Sequence, residues 1–239
     1  MTPLLEARGV AMGDRLAAMD LVSAGGEMIA LVGPNGGGKT SLLRALAGVE
    51  EARGAVAIDG EALAGLSEAR RRRLLAFLPA SREVAWHIAV RDVIALSGAS
   101  TVEVDRWVTA FELERFAGRS IGNLSTGERA RALLARAMAA GPRVLLLDEP
   151  LSNLDPYWVL RTLELLAEAA RGGATVMIAL HDLALVERFD RLLLLENGRV
   201  VGDGAPSALK ERLGSLFGVE LSPDGQWQIS LSADPRSSR

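Results

Sequence analysis

The chain has 239 residues, 49% of them hydrophobic, with 25 glycines, no cysteine, two histidines and a formal charge of −3. That size and apolar content suit one large α/β domain, or one domain with a small insert. Disulfides, thiolate metal sites and His-rich metal clusters are excluded, and the acidic balance argues against a nucleic-acid surface.

Residues 4–32 read as three strands, Leu4–Met12, Leu16–Val22 and Glu27–Val32, with turns at Gly13-Asp14 and Gly25-Gly26. The third strand runs into Gly33-Pro34-Asn35-Gly36-Gly37-Gly38-Lys39-Thr40-Ser41 and then a helix that stops at Gly48. This strand, glycine loop and helix match G-x-x-x-x-G-K-[ST] from Gly33 to Thr40. Glycines let successive N–H groups point into the loop, and the helix adds its positive end. Lys39 is suited to reach the outer phosphates of a nucleotide, and the Thr40 hydroxyl to hold Mg²⁺. A Gly-rich turn that binds nothing is the bland alternative, and Lys-Thr at the start of a helix weighs against it.

Further on, Gly54–Gly60 reads as a short strand and Ser67–Arg73 as a helix. The run Arg70–Arg73 is expected to be a solvated helix face. Leu74–Leu78 returns as a buried strand ended by Pro79. From about residue 81 to 127 no strong strand run occurs, and the segment, with Trp86, His87, Trp107 and Phe111, reads as a helical insert; His87 is expected to be an ordinary surface or packing residue. Glu128–Ala140 is an amphipathic helix, Val144–Leu147 a strand buried on both faces, Tyr157–Arg171 a helix, and Ala174–Leu180 the next buried strand. Leu192–Leu195 and Arg199–Val201 flank Glu196-Asn197-Gly198 as a hairpin, Pro206–Leu213 is a helix, and Ser232–Arg239 is expected to fray. The longest apolar runs fall well short of the ~20 residues of a membrane helix, and Met1-Thr2-Pro3 opens no signal peptide. The expectation is a soluble, cytoplasmic chain.

Two buried strands end in polar pairs at the edge where parallel α/β sheets bind ligands. Asp148 is expected to hold the Mg²⁺ shell, and Glu149 to orient or deprotonate an attacking water. His181, at the end of the next strand, is placed to reach the terminal phosphate, although a strand-end histidine is often structural. Leu124-Ser125-Thr126-Gly127-Glu128 opens a second helix with a hydroxyl, a glycine and free N–H groups. Since one nucleotide already has a cradle at Gly33–Thr40, the economical explanation is that Ser125 and Gly127 serve the nucleotide of a neighbouring copy.

Over nearly its whole length the chain resembles the ATP-binding subunit of ABC transporters. Gly33–Thr40 resembles the Walker A loop, Leu124–Glu128 the signature motif, and Val144–Asp148 with Glu149 the Walker B strand and its catalytic glutamate. Ser152-Asn153-Leu154-Asp155 is similar to the D-loop, and His181 to the switch histidine. The resemblance implies a P-loop NTPase core with a mostly parallel sheet, an N-terminal antiparallel β subdomain and the helical insert, as one domain over 1–232 with a flexible tail at 233–239. It implies catalytic roles for Glu149, His181 and Lys39. Nucleotide binding falls to Gly33, Pro34, Asn35, Gly36, Gly37, Gly38, Lys39, Thr40, Ser41, Ser125, Gly127 and Asp155, and metal binding to Thr40 and Asp148. The cofactors implied are ATP and Mg²⁺. The partners implied are a second copy in a head-to-tail dimer around two ATP molecules, membrane permease subunits docked through the helical insert, and indirectly a substrate-binding protein; no nucleic acid is expected. That would place the chain at the inner face of the membrane. Leu78-Pro79, Glu83-Val84-Ala85-Trp86, Val90-Arg91-Asp92-Val93 and Leu216-Phe217-Gly218-Val219 resemble importers of iron-siderophore, haem or cobalamin.

Three positions depart from the family pattern. Ala80 stands where the family carries a glutamine that contacts Mg²⁺, and Thr126 replaces the middle glycine of the signature. Met12 sits near where an aromatic ring stacks on adenine, so it is expected either to offer the base a thioether contact or to pack inward as a strand residue. Active hydrolysis remains the expectation, because Lys39, Glu149 and His181 are all present. The same motifs would serve an exporter; a DNA-repair or regulatory ATPase would usually carry tandem cassettes or a long coiled coil; and Ala80 with Thr126 would suit a degenerate module with weak hydrolysis.

Overall fold

Two sheets sandwich one helix in the computed structural model, which describes residues 3–82, 87–222 and 227–229. The first hairpin pairs β1 (Leu5–Met12) with β2 (Leu16–Ser23), antiparallel. β3 (Glu27–Val32) leaves for the second sheet, and α1 (Lys39–Ala47) follows the glycine loop, ending at Gly48 in the left-handed conformation. β4 (Arg53–Ile58) and β5 (Glu61–Ala62) return to the first sheet, whose order is β2-β1-β4-β5. Next, α2 (Glu68–Leu74), capped by Ser67, feeds directly into β6 (Leu75–Leu78).

The insert consists of α3 (Val90–Ala95), α4 (Thr101–Ala110) and the approach to α5 (Thr126–Ala139). Then come β7 (Val144–Asp148), α6 (Pro156–Arg171), β8 (Thr175–Ala179), β9 (Arg191–Glu196) and β10 (Arg199–Gly204). α7 (Pro206–Phe217) is longer than the sequence pattern predicts, and β11 (Val219–Leu221) pairs with β12 (Trp227–Ile229) in a hairpin that the pattern misses. The second sheet has the order β10-β9-β3-β8-β7-β6, parallel throughout except for the β9–β10 hairpin. Asn197 and Gly198 both have positive φ at its turn, as a two-residue hairpin requires. The mostly parallel sheet, the antiparallel N-terminal sheet and the helical insert are therefore present as expected.

Strand alternation sorts the core into two layers. Ile29, Leu31, Leu146, Met177, Leu193 and Leu195 pack toward α1 and the first sheet. Their neighbours Ala30, Val32, Leu145, Leu147, Ile178 and Leu194 pack toward α5, α6 and the insert. On that side Phe111 lies between Trp107 and Trp158, with centroids 6.0 and 6.2 Å away. The Arg131 guanidinium sits 4.2 Å over Trp158 and donates to the Phe111 carbonyl at 2.5 Å, tying α5 to both the insert and α6.

Two sequence expectations change. The arginine run lies on α2 as predicted, but it is more than a solvated face. Arg70 pairs with Glu61, and Arg71 donates to the Ala47 carbonyl at the end of α1, where a cation suits the helix dipole. Met12 does not face a nucleotide base: it is 2% exposed and belongs to the inner layer. The cause is a bulge, since the β1 register shifts between Ala7 and Val10 and Gly9 has φ +59°. One extra residue reverses the parity of the strand, so that Leu5, Ala7, Val10 and Met12 all point inward. Glu83, Val84, Ala85 and Trp86, together with the tail from residue 230 on, lie outside the described residues.

Candidate active site

The glycine loop is shaped by close backbone contacts. A Cβ on Gly33 would stand 2.0 Å from the Leu195 carbonyl oxygen, so only glycine lets the end of β3 pass the end of β9. Gly38 has φ +105° and caps α1, whose first residues, Lys39 and Thr40, thus begin at the floor of the loop. The Lys39 ammonium donates to the carbonyls of Gly33 (2.7 Å) and Pro34 (3.1 Å), which hold it across the loop. Burial pushes its pKa down, and the charges of Glu149 and Asp148 oppose that shift.

Asn35 to Ser41 line a cleft of about 500 Å³ with Glu149, His181, Asp14, Arg15, Asn197 and Gly198. The β9–β10 turn forms one wall because Gly198 N–H donates to the Gly37 carbonyl (3.0 Å), while its own carbonyl accepts from Ala17 N–H (2.8 Å). Arg15, at the tip of the first hairpin, is ion-paired with Glu50. Of these residues, Asn197, Gly198 and Asp14 read in the sequence as turn residues alone, and Arg15 carried no local signal. Arg15, near the tip of the first hairpin, lines the cleft, whereas Met12, for which the sequence left a base contact and inward packing both open, packs inward.

The acids stand where buried strands end. Asp148, 1% exposed, accepts from the Thr40 hydroxyl at Oδ1 (3.2 Å), while its Oδ2 is buried with no hydrogen-bond partner among the described residues. Burial is the main cause that raises the Asp148 pKa; the Thr40 bond and the Lys39 and Arg44 charges pull against it. An orphaned carboxylate oxygen beside the hydroxyl of Thr40, at the end of the glycine loop, fits a hard cation such as Mg²⁺, which takes oxygen ligands and fills its shell with phosphate and water. Among the described residues no three His, Asp or Glu side chains form a metal cluster of their own.

Glu149 has φ +50°, a left-handed backbone unusual for a residue with a Cβ, and its Oε1 lies 2.7 Å from His181 Nε2. That bend turns the carboxylate from the end of β7 toward the cleft. The set can therefore clamp phosphates with backbone N–H groups and Lys39 while presenting a carboxylate to a water.

Ser125, Gly127 and Asp155 are not among the residues lining the cleft. Ser125 caps α5 in a reciprocal box: its hydroxyl accepts from Glu128 N–H (3.3 Å), and Glu128 Oε2 accepts from Ser125 N–H (2.9 Å). Asp155 caps α6 by accepting from Trp158 N–H at 3.0 Å. Both Ser125 and Thr126 are exposed, so this helix start opens to the outside of the chain. Ala80 and His87 are exposed too.

Residues 16–152 match the family described as ABC transporter. The chain is 40% identical over 206 residues to the hemin import ATP-binding protein HmuV of Nocardia farcinica, covering 81% of this chain and 72% of that protein. It is 38% identical over 197 residues to the cobalamin import ATP-binding protein BtuD of Halobacterium salinarum, covering 77% of this chain but 50% of that protein. A solved structure of the ATP-binding subunit of an ABC transporter superposes with a TM-score of 0.79 at 30% identity, covering 89% of this chain and 94% of the other.

Proposed function

This chain belongs to the ABC transporter family as an ATP-binding, ATP-hydrolysing subunit, and we propose that it powers import of an iron chelate, haem or a cobalamin-like solute. The observation that carries the hydrolytic half is the convergence of Gly36–Thr40, Glu149 and His181 on one cleft, with Asp148 bonded to Thr40 beneath it. In this reading the loop N–H groups and Lys39 bind the β- and γ-phosphates and stabilise the charge that develops during transfer. Thr40 and Asp148 would hold Mg²⁺, which supplies charge neutralisation on the phosphates. Glu149 accepts the proton of the attacking water, and His181 orients Glu149 and meets the γ-phosphate. Ser125 and Gly127 approach the nucleotide of a second copy in a head-to-tail dimer, and Asp155 lies at that junction.

Transport requires a permease, since among the described residues no helix is long and apolar enough to cross a membrane. A groove of about 520 Å³ between the edge strand β6 and the insert, lined by Phe77, Leu78, Leu96 and Leu133 among others, supports docking of permease subunits there. Such docking would hold the chain on the inner face of the membrane, with a substrate-binding protein on the far side. The solute class is supported by the hemin and cobalamin import relatives. Cells lacking this chain are expected to lose uptake of radiolabelled haem or cobalamin and to regain it with the parent chain but not with Lys39→Ala. Undiminished uptake of both, and of ferric chelates, would sink the importer reading.

A further inference from the structure

A buried guanidinium stands behind Glu149. Arg82 is 7% exposed, although Ala80 and Ser81 beside it are exposed. Its Nη1 donates to the Ser152 carbonyl at 2.7 Å and its Nη2 to the Glu149 carbonyl, while Nε is buried without a partner among the described residues. The Glu149 carbonyl also accepts from the Ser152 hydroxyl (2.9 Å) and from Ser152 N–H (3.2 Å). Three donors thus converge on the one carbonyl whose residue is held at φ +50°. Burial works against the charge of Arg82 and the nearby Glu149 favours it; among the described residues no carboxylate is hydrogen-bonded to the guanidinium to offset the cost of placing it here. Two carbonyls alone could be satisfied by neutral donors, so a rigid cationic fork at this turn calls for a reason beyond packing.

We propose that Arg82 is a positioning residue for ATP hydrolysis: it locks the Glu149–Ser152 turn in the left-handed conformation that aims the Glu149 carboxylate into the cleft. The proposal rests on the reading of Glu149 as the base. It also gives the segment that carries Ala80 a function that does not depend on a side chain at residue 80. Ala80 has no donor or acceptor to offer, whereas two residues later the chain sends a fork to the two carbonyls that bracket the turn. Because Arg82 lies at the start of the insert, displacement of that segment would be felt at the Glu149–Ser152 turn through the two hydrogen bonds to its carbonyls.

The test uses the full chain, with phosphate release measured against MgATP and nucleotide affinity titrated separately. Arg82→Met keeps the stem and removes the fork, so kcat is expected to fall about 10- to 100-fold, the cost of a slightly misplaced catalytic group, with ATP affinity within about twofold of the parent. Arg82→Lys, which restores the charge and a donor, is expected to recover part of the loss. A purely structural arginine would instead lower thermal stability and affinity together, with no such split. In a Glu149→Gln background, Arg82→Met is expected to have no further effect, because the group it positions is already disabled. Parent kcat in folded Arg82→Met overturns the proposal, and so does an undiminished further loss on top of Glu149→Gln. Should Arg82→Met fail to fold, parent kcat in both Arg82→Lys and Ser152→Ala overturns it equally. Parent-rate hydrolysis by Glu149→Gln alone would instead remove Glu149 as the base, a result separable from any effect seen at Arg82.

Discussion

His181 Nε2 lies 2.7 Å from Glu149 Oε1, joining the ends of the adjacent strands β7 and β8 at the cleft lined by the glycine loop. The contact restrains the Glu149 side chain while its backbone is held in the left-handed region. Glu149→Gln preserves size and a hydrogen bond to the imidazole but cannot accept a proton from water. Phosphate release is expected to fall about 10²- to 10⁴-fold, with ATP binding retained. The bound nucleotide then persists, so size-exclusion chromatography with ATP should show a dimer that the parent chain forms only transiently. Parent-rate hydrolysis would remove Glu149 from the role of base.

In its proposed magnesium-holding role, Asp148 presents a trade-off between stability and metal binding. Burial raises its folded-state pKa above its ordinary value, so the fold disfavours the ionised form. The stabilisation from the protonated form is present below the unfolded pKa and is lost as pH rises through the raised folded value. Above that raised value the chain bears the cost of an ionised, half-satisfied carboxylate. Asp148→Asn is expected to stabilise the chain without nucleotide by about 0.5–2 kcal/mol at pH 7, with a smaller gain in acid. The same change should weaken Mg²⁺ dependence, seen as a higher magnesium concentration for half-maximal hydrolysis. Thermal melts across pH and magnesium titrations check the two halves separately; a lower melting temperature at pH 7 would reverse the electrostatic argument.

Met12 does not reach the cleft, whereas Arg15 lines it. Met12 is enclosed by the inner layer, so Met12→Tyr has no route to a nucleotide and is expected to destabilise the chain by about 1–3 kcal/mol through overpacking. Arg15 lines the cleft with its guanidinium steadied by Glu50, and a planar guanidinium stacks on any base. Arg15→Ala is expected to weaken ATP, GTP and CTP binding alike, by no more than about tenfold each, because in the proposed site the loop N–H groups carry most of the affinity. Titrations of the three nucleotides with the Glu149→Gln chain check this. A strong ATP preference untouched by Arg15→Ala would place base reading elsewhere.

What the sequence made legible was local. Gly33–Thr40 is one contiguous segment whose residue types dictate its own geometry, and Asp148, Glu149 and His181 sit at the ends of apolar runs that could only be buried parallel strands. The direction of Met12 was not legible, because it depends on where the β1 bulge falls, and Gly9 reverses the parity of every residue after it. Arg15 and Asn197-Gly198 were hidden for a different reason. They reach the cleft through contacts between residues far apart in the chain, such as Ala17 with Gly198, which no window of sequence contains. Arg82 carried a weak signal: a charged residue in an otherwise unexceptional loop does not disclose that it turns inward.

The separation of Ser125 and Gly127 from Lys39 leads to the most direct test of assembly. Ser125→Ala should cost about 1 kcal/mol of stability through loss of the α5 cap, and a homodimer of that variant should hydrolyse poorly because both helix starts are damaged. Lys39→Ala should also be inactive, its phosphate clamp being lost in both sites. If each site joins the Lys39 loop of one copy to the Ser125 helix of the other, a mixed dimer of the two variants holds one site with both defects and one site with neither. Random pairing of equal amounts makes half of the dimers mixed, so about a quarter of all sites are intact in a head-to-tail arrangement. Mixing two nearly inactive proteins is therefore expected to restore phosphate release to a substantial fraction of the parent rate. Sites completed within a single chain would gain nothing, since every copy would still carry its own defect. A mixture no more active than the sum of its parts, with mixed dimers demonstrated by differently tagged chains, would refute the shared site.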